Sequence, residues 1–329
     1  WVGYLLPHEF VHAWCGKYRR PADMVTGDFL APQRTELLWV YEGLAQYLGE
    51  ILNVRAGVWE LDHYKRLLAG DISFLKGHTG RTWRPLEDTA VASALLRERS
   101  KYWDGLRRNQ DYYDEGKLLW LEIDAMLRDA TGGTKSLDDF CRDFHAVTPN
   151  TLPVSPYTID DVCAALDAVS PYDWKGFIES RTAQPQEGLP MDVVARLGYR
   201  LQYANETPED IKKRETEQEY VATLDSIGAD IKNDGTIHAN VVPGSPLDKA
   251  TLAPGTKIIG VNGRTFSKDR MKDAIKDSVA RGNIEMLVLN GDAYRTVSLD
   301  YKEGLRYLEL VRDDAKPDYL AVICAPRTK

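Results

Sequence analysis

Apolar residues recur at helical spacing through most of the first 180 positions and then give way to short alternating runs. The spacing predicts helices over 5–14, 34–52, 58–69, 90–102, 115–130, 136–144, 158–169 and 173–181. Pro7 in the first of these fits a first-turn position or a local kink. The stretch TAQPQEGLP, residues 182–190, breaks the pattern and reads as a linker. Strands are predicted beyond it over 220–231, 237–242, 256–261, 284–289 and 294–299, with one helix over 267–279. Asn262-Gly263 between apolar runs is a tight-turn signal. Two apolar runs around 313–317 predict a closing hairpin. The chain therefore divides into a helical unit (1–183), a linker (184–192), a β-rich unit (193–303) and a C-terminal segment (304–329), an α+β multidomain architecture.

Chemistry concentrates near the start, in His8-Glu9-Phe10-Val11-His12. On a helix, positions four apart share a face, so His8 and His12 can offer two imidazole nitrogens to one metal with Glu9 beside them as a base. Catalytic zinc takes three protein ligands and keeps one position open. Glu42, in Trp39-Val40-Tyr41-Glu42-Gly43, is the natural third ligand for a single Zn2+. With 6 histidines in 329 residues, an accidental motif of this kind is rare, and the bland reading is a surface helix carrying two histidines. Cys15, three residues past His12, is a weaker ligand candidate. His63, His78, His145 and His238 have no partner at ligand spacing and read as surface or structural residues.

His12-Ala13-Trp14 followed by Leu38-Trp39-Val40-Tyr41-Glu42-Gly43-Leu44 resembles the gluzincin metallopeptidase pattern, which aminopeptidase N also carries. The chain is more closely similar to the glycyl aminopeptidase family, bacterial metallopeptidases with a C-terminal PDZ domain. Lys17-Tyr18-Arg19-Arg20-Pro21, Asp111-Tyr112-Tyr113-Asp114-Glu115-Gly116-Lys117-Leu118 and the run 132–139 carry that likeness, with Glu115 standing where relatives usually have lysine. The resemblance implies a mostly helical, thermolysin-like catalytic subdomain and an aminopeptidase releasing N-terminal glycine or alanine. It implies that zinc activates water, that Glu9 takes the proton and returns it to the leaving amine, and that Tyr113 stabilises the tetrahedral intermediate. Such a donor is worth about 3–4 kcal/mol of barrier. Against this stands a packing role, since the chain has 17 tyrosines. The family also has a β-rich region before this helix, including the element that holds the substrate's amino terminus, so a chain opening at Trp1 is expected to be a piece lacking it.

The later region resembles a bacterial PDZ domain through Val241-Val242-Pro243-Gly244-Ser245-Pro246, Leu252-Ala253-Pro254-Gly255 and Ile258-Ile259-Gly260-Val261-Asn262-Gly263, departing at Thr251 and Thr256. That implies capture of a peptide's C-terminal carboxylate by the loop Ile227-Gly228-Ala229, which otherwise reads as a structural turn.

A net charge of -8 argues against nucleic acid as a partner, and the basic runs at 17–20 and 212–214 are short. No segment has the apolar length to cross a bilayer. Cys15, Cys141, Cys163 and Cys324 lie far apart with no Cys-x-x-Cys, so they read as ordinary thiols, and the compartment stays open between bacterial periplasm and cytoplasm. The expected partners are a peptide or protein substrate and a C-terminal peptide. The competing class is a peptide-binding scaffold with a degenerate peptidase half. The presence of His8, Glu9, His12, Glu42 and Tyr113 together favours the enzyme.

Overall fold

The computed structural model describes residues 2–96, 102–146 and 154–327. Helices dominate the first half in the order α1 (Val2–Val11), α2 (Leu38–Arg55), α3 (Leu61–Lys76), α4 (Leu86–Val91), α5 (Ser93–Leu96), α6 (Asp104–Arg107), α7 (Asp114–Thr131), α8 (Leu137–Phe144), α9 (Ile159–Val169), α10 (Trp174–Thr182) and α11 (Asp192–Arg196). Two short strands, β1 (Arg19–Pro21) and β2 (Ser155–Tyr157), pair in parallel. Local chemistry sets several boundaries. Ser136 with Asp139 and Thr158 with Asp161 form reciprocal capping boxes at α8 and α9, and Gly132 at φ 60° closes α7. The helix predicted over 90–102 is two short pieces instead, with 97–101 outside the described residues. Trp103 at φ 64° is left-handed, which a continuing helix cannot contain.

The second half begins with β3 (Tyr199–Ala204) and continues through α12 (Glu209–Glu217), β4 (Tyr220–Val221), α13 (Leu224–Ile227), β5 (Ile231–Lys232), α14 (Pro246–Lys249), β6 (Lys257–Val261), β7 (Arg264–Thr265), α15 (Lys268–Arg281), β8 (Asn283–Asn290), β9 (Ala293–Asp300), β10 (Tyr307–Arg312) and α16 (Tyr319–Cys324). Strands β7-β6-β8-β9 make an antiparallel sheet backed by α15. The single strand predicted over 220–231 is replaced by β4, one helical turn and β5. Asp230 Oδ1 accepts from the N–H groups of Thr223 (2.9 Å) and Leu224 (3.0 Å), and Gly228 at φ 99° ends the turn. Residues 237–242 form no strand among the described residues. Beyond one bridge to Ile231, their amides bond to turns, His238 N–H to Asp230 O and Val242 N–H to Gly228 O.

Buried side chains fall into two clusters that do not follow the predicted boundaries. The first contains the helical half and also Val193, Val194, Leu197, Tyr199, Leu308, Leu320, Ile323 and Cys324. The second runs from Val221 to Tyr307. Strand β3 pairs antiparallel with β10, so these two strands form a stem and the second unit is inserted between them. The closing hairpin expected within 304–329 is therefore absent. Its first run pairs across the chain with β3, and its second is α16, capped by Asp318 Oδ1 accepting from Ala321 N–H at 2.9 Å. No helix among the described residues is long and apolar enough to cross a membrane.

All eight tryptophans precede residue 183, so their fluorescence reports chiefly on the helical unit. Leu320 is fully buried in that unit's core, and Leu320→Ala is expected to lower the tryptophan-detected unfolding free energy by about 2–5 kcal/mol. An unchanged urea midpoint would contradict the shared core.

Candidate metal centre and catalytic cleft

Three ligand-type atoms converge where α1 crosses α2. His8 Nε2 and His12 Nε2 are 3.0 Å apart, and each lies close to Glu42 Oε2, at 3.3 and 3.2 Å. Tetrahedral zinc with ligands at about 2.0–2.1 Å would separate any two of them by roughly 3.3 Å, so the triangle has the edge length a zinc ion demands. Glu42 Oε2 is buried and meets no donor but the two imidazoles among the described residues. Three electron-rich atoms held this closely need positive charge among them. His8, His12 and Glu42 are the described side chains grouped to hold a metal ion.

Helix α1 ends at Val11, earlier than the predicted residue 14, but His12 N–H still bonds to His8 O at 3.3 Å and keeps the helical spacing. Beyond it the chain folds back, and Cys15 O lies 2.9 Å from His12 Nδ1. A carbonyl only accepts, so Nδ1 carries the hydrogen and the Nε2 lone pair faces the site. Cys15 itself is not a ligand. Its buried Sγ faces the Tyr41 carbonyl at 3.5 Å, and burial with the Glu42 charge pushes its thiol pKa far up. Without metal, a proton meets the same need for charge. Burial opposes ionisation of Glu42, yet the imidazoles of His12 and His8 hold its carboxyl down at about 2. Burial likewise opposes protonation of His12, but Glu42 and the Cys15 carbonyl raise it overall.

Two glycines on different faces of α2 permit this convergence. A Cβ on Gly49 would lie 3.0 Å from both N and Cα of His8, and one on Gly43 would lie 2.9 Å from Gly116 Cα on α7. Gly49 thus lets α1 approach and Gly43 lets α7 approach. The glycine after Glu42 is a close-packing requirement of the helix that carries it.

Tyr113 sits at the N-cap of α7, its ring centroid 6.1 Å from that of His8. The loop before it is fixed from below by buried charges. Arg108 donates to Asp111 Oδ2 at 2.9 Å and to Glu115 Oε2, Arg81 donates to Glu115 Oε2 at 2.7 Å, and His78 Nδ1 lies 3.1 Å from Asp111 Oδ2. Glu115, the position unlike the family's lysine, is therefore the acceptor for two buried guanidinium groups. Nearby, Lys117 on α7 joins Glu50 on α2 at 2.8 Å and Asp71 on α3 at 2.6 Å. Burial still pushes Glu50 up to about 7.

Glu9 is exposed and lines, with His8 and Tyr113, a cleft of about 580 Å³. Its opposite wall comes from the second unit, at Leu224, Asp230 and 238–240. His78, read from sequence as a surface or structural residue, and Asn240, not singled out at all, both line it. Their only sequence signal was residue type, because the fold alone brings them here. Ile227, Gly228 and Ala229 are not among the residues that line this cleft. The side chains of Ile227 and Ala229 are buried, and the amides of Ile227 and Gly228 already bond to Thr223 O (2.9 Å) and Leu224 O (3.0 Å).

Residues 2–119 match the family described as M61 glycyl aminopeptidase. The chain is also similar to a crystal structure of an aminopeptidase N family protein from Idiomarina loihiensis, with a TM-score of 0.74 at 19% identity, over 99% of this chain. It spans 55% of that protein's length. This likeness extends over both units and concerns the fold. A search of curated proteins found no match.

Gly49→Ala is expected to displace the His8 backbone and weaken zinc affinity by about tenfold or more, read by competition with a chromogenic chelator. Affinity equal to that of the unsubstituted chain would mean the α1–α2 approach does not set the ligand triangle.

Proposed function

We propose, from a chain whose residues 2–119 match the M61 glycyl aminopeptidase family, a zinc-dependent peptidase that releases small N-terminal residues, glycine or alanine. The observation that carries the reading is the 3.0–3.3 Å triangle of His8, His12 and Glu42, with Glu9 and Tyr113 on the same cleft. Zinc bound there would polarise a peptide carbonyl and acidify water. Glu9, exposed to the cleft, accepts the water's proton and returns it to the leaving amine. Tyr113 donates its hydroxyl hydrogen to the oxygen that gains charge as the carbonyl becomes tetrahedral. The Cys15 carbonyl keeps His12 in the tautomer that the metal requires.

Action at an amino terminus is supported by charge. The cleft lining includes Glu9, Asp104, Asp114 and Asp230, besides Asp111, which is paired with Arg108, and, among the described residues, no lysine or arginine. A free ammonium group suits that field and a terminal carboxylate does not. Preference for glycine rests on the family's description, and its extension to alanine on the sequence resemblance. Carboxylate capture at Ile227-Gly228-Ala229 is not assigned, since two of its amides are engaged within the turn.

Glu9→Gln is expected to keep its zinc and lose about 10²–10⁴ in kcat on glycyl or alanyl p-nitroanilide. Tyr113→Phe should lose about 10²–10³ in kcat with KM little changed. A Glu9→Gln chain hydrolysing at the parent rate would remove the base from the mechanism.

A further inference from the structure

Two buried polar atoms on the cleft wall lack a hydrogen-bond partner among the described residues, His78 Nε2 and Asn240 Oδ1. They belong to different units and are brought together by one contact, Asn240 Nδ2 donating to Gly77 O at 3.3 Å, next to His78 in sequence. A second tie, Trp103 N–H to Ala239 O at 2.7 Å, fixes the same loop. A Cβ on Gly105 would lie 2.3 Å from Asn240 Nδ2, so the side chain is held closely on that flank too.

The hydrogen-bond polarity of both atoms follows from their surroundings. Asp111 accepts from Arg108 Nε at 2.9 Å and from Asn109 N–H at 3.1 Å, and although burial opposes it, His78 and Arg108 keep its carboxyl ionised. His78 Nδ1 therefore donates to Asp111, and in the neutral imidazole Nε2 is left as a lone pair. The amide of Asn240 is oriented by its bond to Gly77 O, which turns Oδ1, an acceptor, away from that contact. His78 is only 3% exposed, its ring lies against Phe74 (centroids 4.2 Å apart), and Phe74 lines the cleft as well. Burying acceptors without donors is costly, and folded proteins do so where a ligand or solvent supplies the donor.

We propose that His78 and Asn240 form a substrate-binding pair spanning the two units, accepting N–H groups of the peptide that lies over the metal centre. This rests on the peptidase reading above and adds to it that the second unit is a wall of the substrate site. The shared chemistry is an N–H donor, from either the substrate's free ammonium group or its main-chain amides.

The test uses the zinc-loaded full chain carrying Glu9→Gln, titrated calorimetrically with Ala-Ala-Ala and with N-acetyl-Ala-Ala-Ala. Adding Asn240→Leu or His78→Phe is expected to weaken binding about five- to tenfold while zinc stoichiometry stays unchanged. Should His78→Phe unfold through loss of its Asp111 contact, Asn240→Leu decides alone. If the ammonium group is the donor, acetylation weakens binding to the parent and removes the effect of Asn240→Leu. If main-chain amides are the donors, both peptides weaken alike. Binding that stays within twofold of the parent in Asn240→Leu overturns the pair and leaves the peptidase reading intact, whereas no binding of either peptide to the parent overturns both.

Discussion

Positive charge at the crossing of α1 and α2 is the constraint on which the rest of the site depends. Two imidazole nitrogens and a carboxylate oxygen lie within 3.3 Å of one another in a buried place. Their mutual repulsion is relieved only by a cation or by protons that stand in for one. Everything that brings them together is arranged around α2, whose two glycines admit α1 on one side and α7 on another. The distances are therefore set by backbone contact and not by long, adjustable side chains.

The helices are also tied by buried charge. Lys117, almost fully buried, links α7 to α2 and α3, and the arginines at 81 and 108 tie α7 to the turn after α3 and to the loop that presents Tyr113. Desolvating such groups costs several kcal/mol per ion unless each finds its partners, so these networks contribute geometric specificity more than net stability. They place the phenol of Tyr113 beside His8 and orient His78 through Asp111. The second unit, held on the stem of β3 and β10, then covers the far side of the cleft.

How much of this is legible in sequence depends on the range of the interactions. His8, Glu9 and His12 share a local spacing, so helical geometry alone places them, and the residues around Glu42 and Tyr113 carry recognisable patterns. The division into units was less legible because Val193, Leu197, Leu320 and Ile323 are ordinary apolar residues whose sequence does not say which core receives them. The broken strand at 220–231 reflects Asp230 bonding back to two amides, a side-chain effect that competes with β pairing and leaves the apolar pattern unchanged. His78 and Asn240, 162 positions apart, meet only through the tertiary fold.

His8, His12 and Glu42 build a site for a single metal ion. Elemental analysis of the purified chain and of His12→Ala, after mild removal of loosely bound metal, tests it most directly. Close to one zinc per chain is expected, lost in His12→Ala with the fold retained by circular dichroism. Zinc absent from both, or retained equally by both, would contradict it.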